Sequence, residues 1–379
     1  MLRMKPHLPA AALFAALFAC CASAQTLTPP PIAAKAFLLV DLLSGHTLAA
    51  ANENDRVEPA SLTKLMTGHV VFAALRDRGL DPAEPVPVSA AAAKAEGSRM
   101  FLVAGKSATV DELLRGMIVD SGNDAAIALA EAISGSEQAF VAEMNRQAQR
   151  LGLAQTHFVN ATGKPAPEQY SSARDLATLT AALLGDFPDR YPLYGQKEFT
   201  YSRITQSNRN RLLWTDPTVD GVKTGFTEAA GYCLVASARR GERRLVSVVV
   251  GARSDTLRTT ESQKLLNFGF QNYETRRLYR KGEPVATPAI YKGTKPVVKL
   301  GFDRDVWVTL PREHFGGLAA ALETRQPFVA PLAAGEKAGI MKLTRAASPI
   351  AEFPVVALED VPVAGFLSRG WDTLRLLLR

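Results

Sequence analysis

Cysteine is scarce in this chain, with three among 379 residues, so a scaffold stapled by several disulfides is excluded. Histidine is nearly as rare. His7, His46, His69, His157 and His314 are scattered, with no HExxH pair or other metal-ligand spacing. A zinc hydrolase and a Ser-His-Asp triad are therefore disfavoured, and no metal or other cofactor is expected. Aromatics make up only 7% and the charges are dispersed, which speaks against a fibrous or low-complexity protein. No internal repeat is found. What is present is an ordinary globular composition, 47% apolar and 21% charged, able to bury a core. The length allows two domains, or three small ones, at ~150 residues each.

The two ends differ in texture from the middle. Arg3 and Lys5 precede an apolar run from Leu8 to Ala19, and Ala22-Ser23-Ala24 offers small residues before Gln25. This reads as an export signal over residues 1–24, because a spanning helix needs roughly 20 apolar residues. Leu17-Phe18-Ala19-Cys20 also has the outline of a lipidation site, although Phe18 is bulky for one. Removing residues 1–24 takes away Cys20 and Cys21, leaves Cys233 as the one thiol, and reduces the net charge from +7 to +5. That mild excess suits an anionic surface and does not point to nucleic acid. At the other end, Val363, Phe366, Leu367, Trp371, Leu374, Leu377 and Leu378 recur at helical spacing. Ser368, Arg369, Asp372, Arg375 and Arg379 fall opposite them. A helix of this length reaches only ~25 Å and is charged, so residues 361–379 are expected to lie on a membrane surface rather than cross it. Docking of the helix on the protein's own core is the other reading.

Residues 25–35 are Pro-rich and read as a linker. Ala36–Asp41 and His46–Ala50 flank Ser44-Gly45, a hairpin signal. Ser61 to about Leu184 is mostly helical and Ala-rich. Gly231–Ala238 and Arg244–Gly251 are β-rich, separated by a turn in which Arg239, Arg240, Arg243 and Arg244 read as a solvated tip. A helix is expected at Thr260–Phe268. Past about Lys281, the short runs Val297–Leu300, Val306–Leu310, Lys337–Leu343 and Val355–Leu358 are broken by Gly and Pro. The fold class is α+β. A first domain at 36–278 combines a sheet closed by distant segments with a helical cluster, and a small all-β domain follows at 279–360. Cys233, within an apolar strand, and His69, in an apolar helix, read as core residues.

Three short motifs occur once each and in this order: Ser61-Leu62-Thr63-Lys64, Ser121-Gly122-Asn123 and Lys223-Thr224-Gly225. Pro59-Ala60 is a helix-start signal ahead of Ser61, and an apolar run, Leu65–Leu75, follows. The i, i+3 spacing places the Lys64 amine within reach of the Ser61 hydroxyl. Lys223-Thr224-Gly225 opens a strand region, where glycine would let a ligand backbone approach.

On these motifs the sequence resembles the low-molecular-mass penicillin-binding D-alanyl-D-alanine carboxypeptidases, a serine-type, peptidase S11-like family. Pro59 to Thr67 resembles the family's nucleophile segment, and Arg115-Gly116 with Ser121 to Ala125 its second motif region. Val219 to Gly225 with Ala230-Gly231-Tyr232 resembles the third. Tyr170 to Asp175 matches a further stretch, and Lys299-Leu300-Gly301 with Thr309 to Arg312 matches the family's β-rich second domain. The resemblance implies a penicillin-binding, β-lactamase-like transpeptidase fold for the first domain. It implies removal of the terminal D-alanine from peptidoglycan pentapeptide stems through an acyl-serine intermediate, with β-lactams as covalent inhibitors. The implied location is the periplasmic face of the cytoplasmic membrane.

The residue types suit that chemistry. A serine hydroxyl needs an adjacent base, and Lys64 serves only when neutral, which burial and a neighbouring like charge favour. Lys223 could supply that charge and attract an anionic substrate. By resemblance, Ser61 is the nucleophile, Lys64 the general base and Ser121 a proton relay. Asn123 holds the substrate amide, and the backbone N–H groups of Ser61 and Phe226 form the oxyanion site. The free carboxylate of the substrate would meet Thr224, Thr227, Arg258 and Arg209 beside Gly225. For both arginines an ordinary surface role is the other reading. Phe226 stands where family members often carry histidine.

Two alternatives belong to other classes. A class A β-lactamase deacylates with a glutamate followed four residues on by asparagine, and here Glu168 is followed by Ser172. A non-catalytic peptidoglycan-binding scaffold of the same fold would have no need of Lys64.

Overall fold

A computed structural model describes residues 27–377 of the chain. The expected export signal, residues 1–24 with Cys20 and Cys21, lies outside the described residues. The sheet of the first domain starts with β1 (Ala36–Asp41) and β2 (Thr47–Ala51). A 3-10 turn, Ala60–Thr63, leads into α1 (Lys64–Asp77). Helical layers follow, interrupted by a small hairpin: β3 (Pro85–Pro87), α2 (Ala90–Ala93), β4 (Ser107–Thr109), α3 (Val110–Ile118), α4 (Asn123–Ser134), α5 (Glu137–Arg150) and α6 (Ala173–Asp186). The chain then forms the hairpin β5 (Glu198–Tyr201) and β6 (Ile204–Ser207), a short α7 (Leu212–Thr215), three long strands β7 (Val219–Thr227), β8 (Gly231–Arg240) and β9 (Arg243–Ala252), and α8 (Asp255–Asn272).

The five-stranded sheet runs β2-β1-β9-β8-β7, antiparallel throughout, so β1 from the start of the chain inserts beside β9 from its middle. Both sheet faces are covered, and the period-2 alternation of the strands sorts side chains between them. Leu38, Val40, Val235, Val246, Val248 and Val250 face the large helical core. Phe37, Leu39, Leu234, Ala236, Leu245 and Val249 face a second core under α8. Cys233 is buried on the helical-cluster face, and burial pushes its thiol up to about 11. His69 is buried too, edge-on to Phe187, and burial holds it down at about 4, so it is a neutral core residue.

Helix starts carry their own instructions. Thr109 and Glu112 form a reciprocal capping box on α3, and the Ser172 and Ser254 side chains cap α6 and α8. The Ser254 cap explains why α8 begins five residues ahead of the Thr260 start expected from its apolar pattern.

The β-rich part opens with β10 (Tyr273–Tyr279), which follows α8 directly, so the expected 278/279 boundary falls at the end of a strand. It contains β11 (Pro284–Ala286), β12 (Ile290–Tyr291), β13 (Leu300–Gly301), β14 (Val306–Pro311), β15 (Leu318–Thr324), β16 (Phe328–Val329), β17 (Lys337–Arg345) and β18 (Ser348–Ala357). Strands β11-β13-β18-β17-β15 form one sheet, β10 pairs with β14, and the short β12 and β16 pair in parallel. Of the Val297–Leu300 run only Leu300 is in a strand. The last helix, α9 (Phe366–Leu377), rests its polar side on this domain, with the Asp372 carboxylate accepting the Lys292 backbone N–H at 2.6 Å.

The arginine-rich turn is a solvated tip at Arg239 and Arg240, which are exposed, but not at Arg243 and Arg244. Arg243 reaches inward to Asp41 (2.6 Å) and donates to the Tyr273 carbonyl (2.7 Å), while Arg244 pairs with Asp220 (2.7 Å). Asp41 also accepts from Thr275 Oγ1 at 2.6 Å, so this buried carboxylate joins the two domains. The reason is topological: β9 lies in the middle of the sheet, and its first residues meet the strand that begins the next domain.

Candidate active site

The three motifs converge on one cleft of about 960 Å³ at the free edge of β7. Ser61, Ser121, Asn123, Arg209, Thr224, Gly225, Phe226, Thr227 and Arg258 all line it. Lys64 and Lys223 lie beneath, buried, and reach the lining through their amines.

Ser61 sits in the 3-10 turn rather than in α1 proper, and Lys64 is the first residue of α1. Their Oγ and Nζ atoms are 3.2 Å apart. Lys64 Nζ also donates to Asn123 Oδ1 (2.7 Å) and to the Thr162 carbonyl (2.6 Å). A neutral amine has two protons and one lone pair, so with those two acceptors filled the lone pair is left for the Ser61 hydroxyl. Burial, reinforced by the Arg209 guanidinium, lowers Lys64 from 10.5 to about 7. Lys223 Nζ donates to Ser121 Oγ (2.9 Å) and to the Thr224 carbonyl (3.2 Å). Burial and the fields of Lys64, Arg209 and Arg258 pull it well below the ordinary range too, against which Asp120 acts. Two buried amines in one another's field oppose each other's protonation, which favours a neutral amine at this site.

Backbone strain falls at the first two motifs. Ala60, just ahead of Ser61, has φ +47°, and Ser121 has φ +61°, a left-handed region that costs a non-glycine residue about 1–3 kcal/mol. Gly225 turns out to serve packing. A Cβ there would lie 3.2 Å from the Pro59 carbonyl and 3.2 Å from Ala60 Cβ, so the space is taken by the nucleophile turn rather than left for a ligand. Lys223-Thr224-Gly225 sits in the second half of β7, not at its start.

Several parts of the site carry no motif. The turn 160–164 delivers the Thr162 carbonyl, and Asn160 Oδ1 organises it by accepting from Thr162, Gly163 and Lys164 backbone N–H groups. Its Asn-x-x-Gly spelling is a readable turn signal, but a carbonyl ligand to Lys64 has none. Asp124 accepts the Met100 and Leu102 N–H groups (3.0 Å each) and pins the loop that brings the Glu96 carbonyl onto Asn123 Nδ2 (2.6 Å). Asp120 is buried, its Oδ1 has no partner, and burial plus Asp124 raise it to about 7.

The cations differ in what they have already bound. Arg258 donates to the Gly225 and Cys233 carbonyls (3.0 and 3.4 Å) and pairs with Asp255, yet its Nε lacks a partner. Arg209 lines the cleft with no hydrogen bond or ion pair among the described residues, so its charge is available to an anion. Thr227 Oγ1 donates to Glu58 (3.2 Å) and accepts the Ala230 N–H. Glu168 lines a separate groove with Arg56 and Tyr170 and does not line the Ser61 cleft. The described residues hold no cluster of potential metal ligands.

A serine beside a buried lysine, with a second serine and lysine across the cleft, at the edge of an antiparallel sheet between helices, fits a serine hydrolase of the acyl-enzyme type. Comparison with known proteins agrees. Residues 23–254 match the family model described as D-alanyl-D-alanine carboxypeptidase (peptidase S11), and residues 273–363 match the C-terminal domain of penicillin-binding protein 5. The chain is 41% identical to the D-alanyl-D-alanine carboxypeptidase DacC of Escherichia coli, over 96% of this chain and 94% of that one. It is 40% identical to DacA of Haemophilus influenzae, over 97% and 96%. Among solved structures, penicillin-binding protein 5 of Haemophilus influenzae superposes with a TM-score of 0.86 at 41% identity, covering 89% of this chain and 99% of that one. Penicillin-binding protein D2 of Listeria monocytogenes, in its ampicillin-bound form, gives 0.59 at 29% identity over 64% and 99%. The chain belongs to the D-alanyl-D-alanine carboxypeptidase family of penicillin-binding proteins.

Proposed function

We propose that this chain removes the terminal D-alanine of peptidoglycan pentapeptide stems through an acyl-Ser61 intermediate and is acylated by β-lactams at the same oxygen. The observation that carries this reading is the Ser61–Lys64 pair, 3.2 Å apart, with both amine protons of Lys64 engaged elsewhere. Ser61 Oγ attacks the D-Ala-D-Ala carbonyl while Lys64 takes its proton, and the backbone N–H groups of Ser61 and Phe226 stabilise the oxyanion. Ser121, held by Lys223, passes a proton to the leaving amine. Asn123 orients Lys64 and the substrate amide. Arg209, Arg258, Thr224 and Thr227 receive the leaving residue's carboxylate, and water then releases the acyl group. Release of D-alanine from diacetyl-Lys-D-Ala-D-Ala tests the reading, together with a fluorescent-penicillin label that survives denaturation and disappears in Ser61→Ala. Absence of both from folded protein would overturn it.

The sequence supports export by residues 1–24, to the periplasmic face of the cytoplasmic membrane. A surface tether through α9 is supported by the exposure of Phe366 (83%) and Trp371 (59%) beside exposed Arg369 and Arg375. No helix among the described residues is long and apolar enough to cross a membrane. Deleting residues 363–379 should free the protein from anionic vesicles, and continued co-sedimentation would refute the tether.

A further inference from the structure

Phe226 is a large apolar side chain left 44% exposed inside a polar catalytic cleft. It is not isolated. It stands directly opposite Tyr232 across the β7–β8 ladder, with ring centroids 4.4 Å apart and planes tilted 36°. The Arg258 guanidinium lies over the Tyr232 ring, 5.5 Å from its centroid, and Arg258 is itself fixed to the Gly225 carbonyl and Asp255. The result is a two-ring shelf on the cleft wall.

Strand alternation fixes where the shelf lies relative to the chemistry. Gly225 points at the nucleophile turn, and Lys223, on the same face, points at Ser121. Thr224 and Phe226 therefore project to the opposite, α8 side of β7. That side carries Arg258, with Arg209 free in the same cleft. These cations are where the carboxylate of a C-terminal residue is drawn. In hydrolysis that carboxylate belongs to the residue that departs, not to the acyl group left on Ser61. A side chain on the departing residue is then the part of the substrate nearest the rings.

We propose that the Phe226–Tyr232 shelf is a specificity subsite for the leaving residue, one that accepts C-terminal D-amino acids with apolar side chains larger than methyl. The inference rests on the carboxypeptidase reading above and adds the substrate class that the site selects. An apolar group laid on a one-sided shelf stays partly in water, so the discrimination lies at the low end of that for a closed hydrophobic pocket, about tenfold.

The test is a series of diacetyl-Lys-D-Ala-D-X peptides with X as alanine, leucine or phenylalanine, compared by kcat/KM within each protein. Wild type should cleave the D-Leu and D-Phe peptides at an efficiency comparable with D-Ala. In Phe226→Thr the D-Leu to D-Ala ratio should fall about tenfold, and Phe226→Tyr should keep it. Comparing ratios within one protein cancels any general effect on the backbone N–H of residue 226. A ratio in Phe226→Thr within about twofold of wild type, in protein that still acylates fluorescent penicillin, would overturn the subsite and leave the carboxypeptidase reading standing. Wild type that neither acylates nor releases D-alanine would overturn both. Should Phe226→Thr not fold, Tyr232→Leu carries the test, because it removes the second ring and predicts the same fall.

Discussion

Gly163→Ala should slow acylation by about 10²-fold although residue 163 has no side chain and takes no part in the chemistry. Gly163 has φ +86°, and a Cβ there would overlap the Ala60 carbonyl and come 3.0 Å from the Ser61 nitrogen. The left-handed backbone costs an alanine about 1–2 kcal/mol, and forcing a methyl into a filled contact costs about 1–3 kcal/mol more. Relief of about 2–5 kcal/mol can come only by moving the 160–164 turn away from the nucleophile turn. That motion withdraws the Thr162 carbonyl from Lys64 and shifts Ser61, and a misplacement of ~1 Å in such a pair lowers the rate by about 10²-fold. The assay is the acylation rate constant with a fluorescent penicillin, alongside thermal unfolding by circular dichroism. Gly185→Ala is the control, since a Cβ there meets nothing within 4 Å and its φ is not left-handed. It should raise stability by up to about 1 kcal/mol within α6 and leave acylation intact. Acylation of Gly163→Ala within about threefold of wild type would refute the claim that this turn holds the base in place.

Two further predictions concern protons. Lys64 acts as a base only when neutral and sits at about 7, so the acylation rate should rise with pH through about 7 and level above it. Single-turnover acylation measured across neutral pH checks this, and a rate that is flat there would contradict the assignment. Asp120 holds its proton up to about 7 in the fold against 3.8 ordinarily, so the folded state binds more protons between those values and loses stability as pH rises through them. Asp120→Asn removes that loss, and its unfolding free energy, followed by thermal melting at each pH, should draw ahead of wild type between about pH 4 and pH 8, by on the order of 1–3 kcal/mol at the upper end. Melting curves that stay parallel over the range would refute it.

Much of this site was legible because its chemistry is local in sequence. Ser61 and Lys64 are one helical turn apart, and the β-rich runs at Gly231–Ala238 and Arg244–Gly251 are strands β8 and β9. What escaped was long-range and backbone-borne. The acceptor that completes the Lys64 environment is a carbonyl 98 positions away, which has no residue-type signature. Gly225 looks like a ligand gap in sequence because nothing local reveals that the turn at Pro59 fills it. Arg243 and Arg244 look like a wet tip because Asp41 and Asp220, their partners, are distant in the chain. The Ser254 cap of α8 could have been read, and the apolar period alone hid it.

Cys233 sits in β8 directly opposite Gly225 of the catalytic strand, with its sulfur sealed from solvent. In a protein begun at residue 27 it is the single thiol, so maleimide or disulfide reagents can reach it only when the β7–β8 edge parts. Its labelling rate thus becomes a clock for openings of the catalytic margin, read without any introduced residue. Ligands that bridge β7 to the nucleophile turn would slow that clock in proportion to how firmly they clasp the two together.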